Sequence, residues 1–110
     1  MALDLQDDAE LILLYEQYHT PAGIWPEIPH GIREAGITDL QIYRIGNHLF
    51  MIVDCEEGIS LQAAFEKMLT FPRQKDWAAL MLTFQKKLTE AKPDEHWALM
   101  KPVFLLEDCK

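Results

Sequence analysis

ITDLQIYRIGNHLFMIVDCE, residues 37–56, is the stretch that decides the fold. Two runs rich in Ile, Val, Tyr and Phe flank the dipeptide Gly46-Asn47. β-Branched and aromatic residues on both sides of a turn pair predict a hairpin, with strands over 37–45 and 48–56. Leu40, Ile42, Leu49, Met51 and Val53 make these strands apolar, and the alternate positions are not uniformly polar either. One face of the sheet therefore packs on helices, and the other needs a second cover, either another sheet or a ligand. A homodimer closing sheet against sheet is the simplest expectation.

Outward from the hairpin, the pattern repeats on each side. ALDL (2–5) predicts a short strand. QDDAELILLYEQYH follows as a helix, with Asp7 or Asp8 as cap and Glu10 in the dipole-favoured first turn. Leu11, Leu14, Tyr15 and Tyr18 recur at helical spacing. Pro21 and Gly23 end that helix, and Pro26 suits the start of a second one that stops at Gly36. After the hairpin, SLQAAFEKML (60–69) predicts a helix capped by Ser60, and Pro72 interrupts. QKDWAALMLTFQKKLTEA (74–91) carries Trp77, Leu80, Met81, Phe84 and Leu88 on one stripe. MKPVFLLE (100–107) is expected as the last strand, with Pro102 at an edge. The order β-α-(α)-β-β-α-(α)-β is that of an α+β, ferredoxin-like split βαβ fold. Its antiparallel sheet carries helices on one face, and two copies would form a dimeric α/β barrel.

The chain of 110 residues has the size of one domain, expected over 1–110, and is long enough to bury one core. Its formal net charge of −8 disfavours nucleic acid and anionic membrane surfaces, both of which call for clustered Lys and Arg. No apolar run is long enough to span a bilayer, and the acidic start MALDLQDDAE lacks the basic and apolar stretches of a secretory signal. A cytoplasmic location is expected, with Cys55 and Cys109 as free thiols.

Among chemical candidates, Tyr15 and His19 stand four apart, which places them on one helix face. Histidine gives and takes protons near neutrality, although a histidine at a helix C-terminus also suits the dipole without further purpose. Trp25 and Trp77 can stack on the C–H faces of a sugar; Trp77, on an apolar stripe, equally fits a core. His30, His48 and His96 fit no metal spacing, and no phosphate-binding loop, nucleophile elbow or dinucleotide fingerprint is present. Asp54 and Asp76 are isolated acids in an acidic chain.

The larger pattern is more specific. ALDL, DD, YEQYH, IWPE, GI-x-D-L-x-IYR, LFMIVD, DW and KPVFLLE together resemble the L-rhamnose mutarotase family over nearly the whole chain. The most specific element is Tyr-x-x-x-His followed by Trp25-Pro26-Glu27. The resemblance implies a ferredoxin-like fold that dimerises through its sheets. It also implies exchange of the α and β anomers of a small monosaccharide, a 6-deoxy-L-hexose, without metal or organic cofactor. It assigns the family's proton-donor histidine to His19, its tyrosine on the same helix to Tyr15, and the second of a tandem tryptophan pair to Trp77. The first tryptophan of that pair is Asp76 here, and a sugar-contacting tyrosine falls on Leu40. The interval from His19 to Trp25 is about two residues longer, through Ala22 and Gly23. A retained acid/base helix with an altered sugar-contacting set implies the same reaction on L-rhamnose or on a related sugar, L-fucose being the obvious alternative. The expected site is thus His19 and Tyr15 for proton transfer, with Trp77, Trp25, Asp76 and Leu40 for substrate. Two other classes remain open: a non-catalytic sugar-binding module, and a dimeric ferredoxin-like monooxygenase or haem-binding domain. The last would show a Soret band and use a ligand such as His48.

Overall fold

The structure, a computed structural model, describes residues 1–109. In chain order the elements are β1 (Ala2–Leu5), α1 (Ala9–Tyr18), α2 (Glu27–Glu34), β2 (Ile37–Ile45), β3 (His48–Cys55), α3 (Leu61–Met68), α4 (Gln74–Leu82) and β4 (Gln85–Lys86), with a 3-10 turn at Leu106–Asp108. The four strands form one sheet in the order β2-β3-β1-β4, and every pairing is antiparallel. β3 leaves the hairpin and inserts between β2 and β1, which is the split βαβ arrangement of an α+β, ferredoxin-like sheet.

The register sorts the side chains. Leu49 faces Arg44 and Leu3, Met51 faces Ile42, and Val53 faces Leu40. Because side chains alternate across a strand, these share the side that helices cover, with Leu3, Leu5, Leu49 and Met51 buried. The other side carries Tyr43, Ile45, Phe50 and Ile52, all exposed. Under the helices the core joins Leu5, Tyr15, Ile28, Leu49, Trp77, Met81 and Phe84.

Local chemistry sets the helix ends. The Asp8 carboxylate accepts from the backbone N–H groups of Glu10 and Leu11, and the Ser60 hydroxyl accepts from Ala63, so each satisfies donors that a helix start leaves unpaired. Gly36, at φ 95°, follows α2 and turns the chain into β2 at a backbone angle that glycine adopts freely. Gln74 is the one buried polar side chain among the described residues, and its amide donates to the carbonyls of Glu27 (2.9 Å) and Ile28 (3.2 Å). It thereby ties α4 to the first turn of α2.

Two expectations are corrected. The helix predicted over 74–91 ends at Leu82, and the chain becomes β4 within three residues. The fourth strand is therefore Gln85–Lys86, not 100–107. The reason is the shortness of β1. Its free edge offers few ladder positions; Lys86 and Gln85 take Asp4 and Leu5, and an isolated bridge from Ala98 takes Ala2. The β1 edge is thereby filled before 100–107 could reach it, and Pro102 would bring no donor in any case. This segment runs without strand structure up to its 3-10 turn, with Val103, Phe104 and Leu106 exposed. Cys55 and Cys109 are both free thiols. Among the described residues no helix is long and apolar enough to cross a membrane.

Candidate active site

α1 delivers two aromatic side chains to one place. Tyr15 sits in its last full turn and His19 caps its C-terminus, and their ring centroids are 4.3 Å apart. Tyr15 is buried; His19 is half-buried. The turn after His19 is tight. The Thr20 hydroxyl donates to the Gln17 carbonyl and accepts from the Gly23 N–H. A Cβ on Gly23 would lie 2.0 Å from the Gln17 carbonyl oxygen, so this close approach demands glycine. The turn folds the chain back, and Trp25 comes to rest against Trp77 at 5.2 Å between ring centroids.

His19 is held in one chemical form. Its Nδ1 lies 2.7 Å from the Tyr15 carbonyl oxygen, and a carbonyl can only accept, so Nδ1 carries the hydrogen. Burial pushes the imidazole below its ordinary pKa, partly offset by that same hydrogen bond. The ring is therefore neutral at pH 7, and its Nε2 holds a free lone pair. Neutral, with a fixed tautomer, the side chain is prepared to take a proton. Tyr15 is different: burial pushes its hydroxyl up to about 12, with a polar contact from Gln85 offsetting part of the shift. It keeps its proton across the physiological range and serves as a donor, never as an anion.

Two clefts of about 360 Å³ each meet at His19, at the lower end of what holds a small molecule. One runs between α2 and β2, lined by His19, Ile24, Ile32, Arg33, Leu40 and Ile42, among others. The second is lined by Tyr15, Glu16, His19, Ile42, Tyr43, Arg44 and Leu49. His19 and Ile42 border both. Asp39 borders the first, but its carboxylate accepts a 2.7 Å hydrogen bond from Gln41, two residues along the strand and so on the outer face.

The structure brings His19, Tyr15 and Leu40 to the clefts. Trp77 is buried behind His19, edge-on at 5.4 Å between centroids, and lines neither cleft. Trp25 is half-buried; the Arg73 guanidinium covers one of its faces at 3.9 Å from the ring centroid, a cation–π contact. Arg73 also pairs with Glu27 at 3.0 Å and holds a left-handed φ of 64°, a conformation that costs a non-glycine residue free energy. Asp76 is exposed in the first turn of α4 and borders neither cleft. His48 is exposed and pairs with Asp4 at 2.8 Å. His96 is half-buried against Gln85, their polar atoms 2.6 Å apart. Glu16, Arg33 and Arg44 line the clefts without having been singled out in the sequence. Period-two counting from Leu40 and Ile42 places Arg44 on the same side of β2, and that was the available signal.

The sequence is similar to known proteins along most of its length. The family model for L-rhamnose mutarotase matches residues 1–106. An L-fucose mutarotase of Xanthomonas campestris pv. campestris is 39% identical over 106 residues, covering 96% of this chain and 85% of that relative. A UPF0734 protein of Dictyostelium discoideum is 32% identical over 110 residues, covering 96% of this chain and 86% of the relative. With a family match over nearly its whole length, the chain belongs to the L-rhamnose mutarotase family and is an aldose mutarotase, an isomerase acting on carbohydrates.

Proposed function

We propose that the protein exchanges the α and β anomers of a 6-deoxy-L-hexose, with L-fucose preferred over L-rhamnose. The observation that carries the chemistry is His19: neutral, with Nδ1–H tied to the Tyr15 carbonyl and Nε2 free, at the junction of two clefts. Ring opening needs a base for the anomeric hydroxyl and a donor for the ring oxygen. In the proposed cycle His19 Nε2 takes the anomeric proton as the ring C–O bond breaks. The ring oxygen takes its proton from a cleft water that the Tyr15 hydroxyl hydrogen-bonds and orients, and that water regains a proton from solvent, so Tyr15 itself stays protonated. The carbonyl rotates, and the ring recloses on its other face with the two transfers reversed. A well-placed acid/base contributes roughly 10²- to 10⁴-fold, which suffices for a reaction that already proceeds in water. Leu40 lines the substrate cleft. Trp77 backs His19, and Trp25 packs in turn against Trp77, so in this reading the two hold His19 in place at the edge of the sugar site. Asp76 would reach a hydroxyl only from the rim. The preference for L-fucose is supported by the name of the Xanthomonas relative and by Leu40 and Asp76, which depart from the tyrosine and tryptophan that the family resemblance implies for rhamnose-acting members.

Two copies would close sheet on sheet. The outer face carries Tyr43, Ile45, Phe50 and Ile52 exposed together, an apolar surface that a second sheet would cover. The cytoplasm is the proposed location, where such a sugar is consumed.

The test is saturation-transfer NMR on the anomer signals of L-fucose and L-rhamnose, with and without protein. Faster exchange, larger on L-fucose, is expected. Binding of either sugar without faster exchange would leave a sugar-binding module instead.

A further inference from the structure

We propose that Glu16 and Arg44 form a hydroxyl-recognition pair that sets which sugar the cleft accepts. This rests on assigning the cleft as the sugar site. The argument begins with an arginine in an unusual place. Arg44 lies opposite Leu49 in the register, so it shares the helix-facing side of β2 with Leu40 and Ile42, where the neighbours are apolar. Glu16 follows Tyr15 on α1 and lines the same cleft as Arg44. Arg44 Nε donates to Glu16 Oε1, and Arg44 Nη1 donates to the Gly46 carbonyl at 2.7 Å. Those bonds orient both side chains and leave Arg44 Nη2 and Glu16 Oε2 without a partner among the described residues. The side chains are 35% and 48% exposed, so neither is sealed off from a ligand.

Exposed ion pairs add little to stability, so tying α1 to β2 is a weak reason for charge here. The chemistry of the cleft is a better one. Its wall offers an oriented donor and an oriented acceptor, and its floor is Ile42 and Leu49. A 6-deoxy sugar has the complementary form, a hydroxyl edge and an apolar C–H and methyl side. Planar, charged groups hydrogen-bond adjacent hydroxyls in a fixed geometry. L-Fucose and L-rhamnose differ in which ring carbon carries the axial hydroxyl. The wrong sugar therefore leaves Arg44 or Glu16 unpaired in the cleft, and a site built on hydrogen bonds discriminates by that loss.

The experiment uses the methyl α-glycosides of L-fucose and L-rhamnose, whose rings cannot open. Binding is then read apart from anomer exchange. Titrations by NMR line broadening are run on the wild type, Arg44→Met and Glu16→Gln, each checked by circular dichroism and thermal melting. The wild type is expected to favour one glycoside. Each variant is expected to weaken that glycoside by roughly ten- to hundredfold and to move the ratio of the two affinities toward one. Wild-type protein that binds both glycosides equally, or variants that melt lower but keep the wild-type ratio, would overturn the proposal. Selective glycoside binding without exchange of the free sugars would remove the mutarotase reading and leave this one standing. Glu16→Gln is nearly isosteric and decides the matter if Arg44→Met fails to fold.

Discussion

Replacing His19 by glutamine separates proton transfer from packing. Glutamine retains an amide N–H that can reach the Tyr15 carbonyl, but it has no group that accepts a proton near neutrality. Loss of the acid/base removes roughly 10²- to 10⁴-fold in rate. That factor corresponds to about 2.7–5.4 kcal/mol of barrier at 1.36 kcal/mol per decade. The structural loss is smaller and of separate origin. The 2.7 Å hydrogen bond to Tyr15 is weakened at a cost of about 1 kcal/mol. The ring contacts with Tyr15 at 4.3 Å and Trp77 at 5.4 Å go as well, at about 0.5–1.5 kcal/mol. A total of about 1.5–2.5 kcal/mol lowers Tm by roughly 6–20 °C for a domain of this size. Saturation-transfer NMR reads the rate and a thermal melt reads the fold, both well below the variant's Tm. His19→Gln that remains folded and exchanges anomers within threefold of wild type would refute the role of Nε2.

Three further outcomes are expected. Exchange rate should rise with pH through a midpoint below the ordinary histidine value and then level off, because the neutral form of His19 is the competent one. The folded-state pKa is depressed, so the same group stabilises the fold above its unfolded value, and that contribution is lost as pH falls through the folded value; a rate that falls as pH rises through this window contradicts the assignment. Gln74→Leu leaves two carbonyls of α2 without their side-chain donor and should cost about 1–3 kcal/mol in urea denaturation, whereas an unchanged midpoint would show that the α2–α4 tie is not made. Phe50→Asp on the outer sheet face should convert a dimer to a monomer by light scattering; a wild type already monomeric at micromolar concentration removes the sheet-on-sheet dimer.

Strong local signals made the hairpin at 37–56, the caps at Asp8 and Ser60 and the helix bearing Tyr15 and His19 readable from the sequence alone. Each depends on neighbours within a few residues: strand composition around Gly46-Asn47, a side-chain oxygen near free N–H groups, and two residues four apart on one helix. The motif pattern carried the family in the same way. What failed was non-local. MKPVFLLE has the composition of a strand, yet β1 is four residues long and its free edge was already taken by residues 85, 86 and 98. Availability of a pairing edge is a property of the assembled sheet, and no local pattern encodes it. The site divides along the same line. Spacing put Tyr15 beside His19, but the tautomer of His19, its neutral state and the meeting of Glu16 with Arg44 come from backbone carbonyls, burial and strand register. Those depend on which surfaces the fold brings together, because burial and hydrogen-bond geometry exist only once distant segments have packed.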